Sequence, residues 1–185
     1  MRAATLHGVL LRVHGLGVLL TGPSGTGKSA LALELLARGH ALVADDAVEI
    51  RRTGPGRLIG QAPRGRLIGQ SPLLLRGFME VCGLGILDVR RLYGKSAVRA
   101  RQRLDLIIRL TRGHGRPSAA ARLAGRRSTQ RLLGEKVPVL SLSAGVGDNL
   151  PALVEAASLD QRLRLSGFAA DRVFAQRQQK AIERE

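Results

Sequence analysis

The chain contains no tryptophan, and aromatic residues make up only 2% of it. Its core must therefore be built from Leu, Val, Ile and Ala. The rings on which single-stranded nucleic acids stack are missing as well. There is one cysteine, Cys82, which excludes an internal disulfide framework and fits a reducing cytoplasm. By default it reads as a small buried side chain rather than a nucleophile. Long apolar runs are absent. Stretches such as residues 15–20 are far too short to span a bilayer, so no membrane segment is expected. The first residues, MRAATLHGVLLRVHG, hold no long apolar stretch ending in a cleavage site, so no signal peptide is read. Acidic residues are scarce: 14 Asp and Glu stand against 30 Lys and Arg, 26 of them Arg, for a formal charge of +16. Such a surface suits acidic or phosphorylated partners. Without stacking aromatics or a recognisable nucleic-acid motif, charge alone does not specify a nucleic-acid partner.

At 185 residues, 44% of them apolar, the chain is long enough for a real core and reads as one domain, 1–185. Its most informative stretch is LLTGPSGTGKSALALEL, residues 19–35. It contains G-x-x-x-x-G-K-S at residues 22–29. Gly22, Gly25 and Gly27, with Pro23, Ser24 and Thr26 between them, let backbone amides approach phosphates. Lys28 can reach the outer phosphates, and Ser29 can ligate Mg²⁺. A strand should lead into this loop and a helix should leave it. GVLLRVHGLGVLLTG supplies the strand, as the second of two around a tight His14-Gly15 turn. KSALALELLARG supplies the helix, with Leu31, Glu34, Leu35 and Arg38 at helical spacing and Gly39 as its stop.

HALVADDAVEIRR reads as an apolar strand ending in Asp45 and Asp46, followed by a second strand. Adjacent side chains on a strand face opposite ways, so the two acids should have different tasks. One could hold Mg²⁺ or its water, and the other could accept a proton from an attacking hydroxyl. Their closeness to the loop helix predicts that their strand neighbours the loop strand. In FMEVCGLGILDV a strand, a Gly-x-Gly turn and an apolar exit follow one another, with Glu80 one step before the turn. LDLIIRL and VPVLSLS read as buried strands, and TRGHGRPSAAARLAGRRS as a mobile loop. GRLIGQ-x-P occurs twice, at Gly56 and Gly65, and reads as a tandem duplication in a surface hairpin, 56–72. From Asn149, a helix N-cap, the chain is expected to be helical, with Pro151 in the first turn. Gly167 should split off a polar helical tail at about 168–185. His7, His14, His40 and His114 are scattered, without metal-ligand spacing.

Together these segments resemble the catalytic domain of the bacterial HPr kinase/phosphorylase family, from about His7 to Gln176. The early His-Gly, the Asp-Asp strand and the E-V-x-G-L-G-I-x-D-V segment carry the resemblance. It implies an α/β P-loop kinase domain of the HPr kinase/phosphoenolpyruvate carboxykinase type, a mixed sheet with C-terminal helices, assembled as a homohexamer. It further implies an ATP- and Mg²⁺-dependent kinase that phosphorylates a seryl residue of the phosphocarrier HPr. The reverse reaction would use inorganic phosphate and release pyrophosphate. By the same resemblance residues 22–29 would bind ATP, with Lys28 catalytic and Ser29 on Mg²⁺. His7 would belong to the active site. Asp46 would accept the proton in phosphorylation and return it in reverse, and Glu80 would ligate Mg²⁺. Arg122, in ARLAG, would neutralise phosphoryl charge.

Four departures from the family pattern stand out. The family has a separate N-terminal domain, whereas this sequence starts at the catalytic one. Cys82 stands where the signature carries Arg, and a thiol cannot replace that cation. Residues 143–149 read SAGVGDN where the family has P-V-R-P-G-R-N, so both arginines used in dephosphorylation are gone. One nine-residue copy of the duplicated hairpin has no family counterpart. Two other readings remain open: a nucleotide-binding sensor without turnover, and a P-loop protein that uses its charge on nucleic acid.

Overall fold

The computed structural model describes residues 3–55, 65–112, 125–144 and 149–183. In chain order its strands are β1 (Ala3–His7), β2 (Val9–Val13), β3 (Leu16–Thr21), β4 (Ala41–Ala44), β5 (Ala47–Pro55), β6 (Gly65–Gln70), β7 (Phe78–Val81), β8 (Gly85–Asp88), β9 (Arg101–Thr111), β10 (Arg127–Leu132) and β11 (Glu135–Ser143). The helices are α1 (Lys28–Ala37), α2 (Val89–Tyr93), α3 (Leu150–Leu165) and α4 (Ala170–Ile182). The expected mixed α/β sheet with C-terminal helices is present. Among the described residues no helix is long and apolar enough to cross a membrane.

Seven strands form a path in the order β1-β5-β6-β9-β3-β2-β4, and β11 pairs with both β9 and β10. β7 and β8 form a separate ribbon. β3 and β9 are parallel. The strand of the two acids does not neighbour the loop strand, contrary to the sequence expectation. β2 doubles back through His14 (φ 47°) and Gly15 (φ 88°) and takes the place beside β3. Two consecutive positive φ values are what a two-residue hairpin turn needs. Because β3 and β4 both run antiparallel to β2, they point the same way, and their C-terminal ends still reach one edge of the sheet.

Alternation along the strands builds two apolar layers. Val9, Leu11, Val18, Leu20, Ile108 and Leu110 face α1, α3 and the β7–β8 ribbon. Leu10, Leu19, Val43, Val48, Ile50 and Ile107 face the other way. Each fully buried side chain of this size contributes about 1.5–3 kcal/mol of transfer free energy. α1 ends as its glycine predicts. Gly39 (φ 89°) donates to the Leu36 carbonyl at 3.0 Å, and His40 to that of Leu35 at 3.1 Å, a Schellman motif.

The second GRLIGQ copy forms the interior strand β6, with Leu67 buried between β5 and β9, not a surface element. The first copy lies outside the described residues. Three elements carry no clear signal in the sequence: β1, α2, and β10, whose first residues belong to the stretch that reads as a loop. Asn149 does cap α3, accepting from the Ala152 amide at 3.3 Å, and Gly167 (φ 97°) separates the exposed α4.

β9 carries a bulge. Gly17 pairs with Leu104, but Val18 pairs with Leu106, so Asp105 is the extra residue. The bulge takes the Gly17 amide out of the ladder, and buried Asp105 Oδ2 accepts its hydrogen at 2.9 Å. A Cβ on Gly17 would lie 1.8 Å from the Arg103 carbonyl oxygen, so only glycine fits. Burial raises the Asp105 pKa, while the Gly17 amide and the Arg103 guanidinium pull it down. The folded chain thus holds this proton more tightly than the unfolded one. The site's contribution to stability is greatest below the ordinary carboxylate range and falls as pH rises through the raised pKa. We predict that Asp105→Ala, which orphans a buried amide, costs about 1–3 kcal/mol at neutral pH. Asp105→Asn keeps an acceptor, should cost less, and should lack that acid-range decline. Denaturant unfolding across the acid range checks both variants.

Candidate active site

The two acids diverge because the backbone turns sharply between them. Asp46 has φ 61°, in the left-handed region that aspartate tolerates. Asp45 is buried and Asp46 is exposed. Asp45 Oδ2 accepts the Glu80 backbone N–H at 2.8 Å, which fastens the β7–β8 ribbon to the end of β4. Burial raises the Asp45 pKa, and the amides of Glu80 and Asp46 partly offset it. In β7, Met79 and Val81 face the core while Phe78 and Glu80 face outward. The β1–β5 register places His7 opposite Ala47, next to Asp46. His7 Nδ1 then lies 2.8 Å from Asp46 Oδ1, and the Gly8 amide donates to the Asp46 carbonyl at 3.1 Å.

The phosphate loop leaves β3 at the same edge. A Cβ on Gly22 would meet the Leu110 carbonyl oxygen at 2.5 Å, so the root of the loop is packed against β9. Gly27 (φ 81°) is the N-cap of α1, whose first turn carries no capping side chain and no acid. Its amides are therefore left for an anion. Thr26 Oγ1 donates to the Pro23 carbonyl at 2.8 Å. Lys28 Nζ donates to the carbonyls of Gly22 (2.9 Å) and Pro23 (3.0 Å), which holds the ammonium inside the loop. Arg112 donates to the Ser24 carbonyl.

Between these elements opens a cleft of about 440 Å³. It is lined by His7 and Gly8, by Ser24, Gly25, Gly27, Lys28 and Ser29 of the loop, and by Asp45, Asp46, Glu80 and Cys82. Its oxygen donors are the Ser29 hydroxyl and carboxylates, the hard ligands that Mg²⁺ takes.

Residues 1–178 match the family model described as the HPr serine kinase C-terminal domain. The chain belongs to that family. It is 46% identical over 178 residues to the HPr kinase/phosphorylase of Bordetella pertussis, which covers 96% of this chain and 54% of that protein. To the HPr kinase/phosphorylase of Aromatoleum aromaticum it is 44% identical over 183 residues, 98% of this chain and 55% of that one. The chain thus spans about half the length of the curated relatives it matches. The solved structure of the Hpr(Ser) kinase/phosphatase from Coxiella burnetii superposes with a TM-score of 0.76 at 33% identity, covering 92% of this chain and 98% of that one.

For a member of the HPr serine kinase domain family, the sequence-read residues converge well. His7, the phosphate loop, Asp46 and Glu80 all line one cleft, although they come from four separate segments. Arg122 lies outside the described residues, as do residues 145–148 of the SAGVGDN stretch. Cys82 is exposed on the cleft wall, not buried as its residue type suggested. Arg112 was missed. Its signal was the parallel pairing of β9 with β3, which brings the residue after β9 beside the phosphate loop. We predict that Asp45→Ala frees the Glu80 amide and raises its hydrogen-exchange rate at least tenfold. Asp45→Asn, which keeps an acceptor, should preserve the protection. Residue-resolved exchange would expose an error if Asp45→Ala left that amide protected.

Proposed function

We propose that this domain is an ATP- and Mg²⁺-dependent serine kinase acting on the phosphocarrier HPr in the cytoplasm, regulating carbohydrate use. One observation carries the reading: a single cleft joins the phosphate loop to a paired Asp46–His7 and to Glu80. The names of the relatives supply the acceptor. Ser29 and Glu80 would hold Mg²⁺, which would neutralise phosphate charge. The α1 amides and Lys28 bind the phosphates. Asp46 takes the proton from the seryl hydroxyl as its oxygen attacks the terminal phosphorus and the bond to ADP breaks. His7, on Oδ1, orients that carboxylate and leaves its other oxygen to the substrate. In the reverse direction Asp46 returns the proton to the seryl oxygen as phosphate attacks and pyrophosphate forms. Exposed Leu73, Leu74, Leu84 and Ile86 near the ribbon support a homo-oligomeric assembly.

The test is transfer of label from ATP to HPr with Mg²⁺ present. Wild type should label a seryl group. Asp46→Asn should lower the rate by about 10²–10⁴-fold with ATP binding within a few-fold of wild type. Lys28→Ala should weaken ATP binding itself. ATP binding by wild type without any labelling would sink the kinase and leave the sensor reading. For the reverse reaction, Cys82→Arg is expected to raise pyrophosphate release above wild type if the missing cation limits it. An unchanged rate would place the limit elsewhere.

A further inference from the structure

At the sheet edge opposite the cleft, three elements meet. His14 sits in the β2–β3 turn, His40 directly follows the α1 stop, and Glu155 lies in α3. One ligand atom from each lies within 4.8 Å of the other two. His40 Nε2 is 2.9 Å from Glu155 Oε1. The two imidazoles meet edge to face, with centroids 4.9 Å apart and an interplanar angle of 80°. His40 is buried, Glu155 half-buried and His14 exposed.

We propose that His14, His40 and Glu155 form a second metal site, selective for zinc-like transition ions and separate from the phosphate cleft. Two imidazoles and one carboxylate are a donor set that zinc takes with water in the fourth position, whereas Mg²⁺ prefers oxygen alone. Bonds of about 2.0–2.2 Å place tetrahedral donors roughly 3.3–3.6 Å apart. The His40–Glu155 pair, at 2.9 Å as a hydrogen bond, is a little closer than that and opens by only about 0.5 Å to admit an ion. His14, the exposed member, closes the remainder by side-chain rotation. The backbone pre-sets both histidines, through the positive-φ turn at His14 and the Schellman motif before His40.

Arg38 sets the affinity. Its Nε and Nη2 donate to Glu155 Oε1 and Oε2 at 3.0 and 2.5 Å. An ion on Oε1 displaces the first of these bonds. The second remains as an outer partner that orients the carboxylate. The nearby guanidinium charge opposes the ion, so binding should be micromolar rather than nanomolar. Such an ion would clamp the β2–β3 turn and α3 to the end of α1. The six residues of β3 span about 20 Å, so it would not touch the cleft.

The test is a Zn²⁺ titration of the full chain by calorimetry, with thermal unfolding and Co²⁺ absorption alongside. One equivalent should bind, raise the Tm, and give the visible bands of a tetrahedral Co²⁺ site, while Mg²⁺ should do none of this. His14→Asn suits the positive φ and should fold like wild type while weakening Zn²⁺ at least tenfold. Glu155→Gln should weaken it similarly. Glu80→Gln and Asp46→Asn, in the cleft, should leave Zn²⁺ binding unchanged. Wild-type affinity in His14→Asn, loss of Zn²⁺ in the cleft variants, or no binding by wild type would each overturn the site. None of these readouts depends on kinase activity.

Discussion

The cleft depends on one buried carboxylate. Among the described residues the β7–β8 ribbon joins no other strand, so no ladder there holds Glu80 against the phosphate loop. Met79 and Val81 press the ribbon onto the core, but apolar contacts set no precise direction. The Asp45 bond to the Glu80 amide supplies that direction. Burying the acid has a cost, visible as its raised pKa, and the amide it accepts offsets part of it. The residue after it turns into the left-handed region and sends its own carboxylate into the open. Two adjacent aspartates thereby acquire opposite tasks, one as a fixed acceptor and one as a group that solvent and substrate can reach.

The second constraint is direction. β3, β9 and β4 all point toward the same edge, where open α/β sheets bind ligands. That common direction brings the phosphate loop, Arg112 and the two aspartates together from three separate segments of the chain. Inserting β2 between β3 and β4 does not disturb it, because two antiparallel pairings restore the original sense.

What could be read from the sequence was local. The phosphate loop, the α1 stop at Gly39, the His14-Gly15 turn and the Asn149 cap each follow from a few neighbouring residues, and each appears as read. What could not be read was imposed from a distance. β1, AATLH, has no buried residue in its alternation and is a strand because β5 pairs with it. β10, RSTQRL, reads as a polar loop, and its pairing with β11 makes it a strand. α2 is too short to show a helical period. The histidines showed no ligand spacing because the fold creates their proximity: His40 and Glu155 are 115 residues apart in sequence.

The formal charge of +16 acquires a meaning from where the few acids lie. Many are spent on packing. Asp160 takes Arg127 and Arg164, Glu135 takes Arg52, Glu155 takes Arg38, and Asp171 takes Arg164. Three of the remaining acids, Asp45, Asp46 and Glu80, are gathered in one cleft with Lys28. A chain this basic draws phosphates toward itself over a Debye length or so. Among the described residues of the cleft the local balance is reversed, and carboxylates outnumber cations. That reversal is what phosphoryl transfer requires: a long-range field that concentrates anions, and a short-range set of oxygens that can hold a cation and accept a proton. Cys82, uncharged, stands on the wall of that cleft. A thiol there does nothing to hold a free anion, whereas the amides at the start of α1 are open to phosphate whatever stands at position 82.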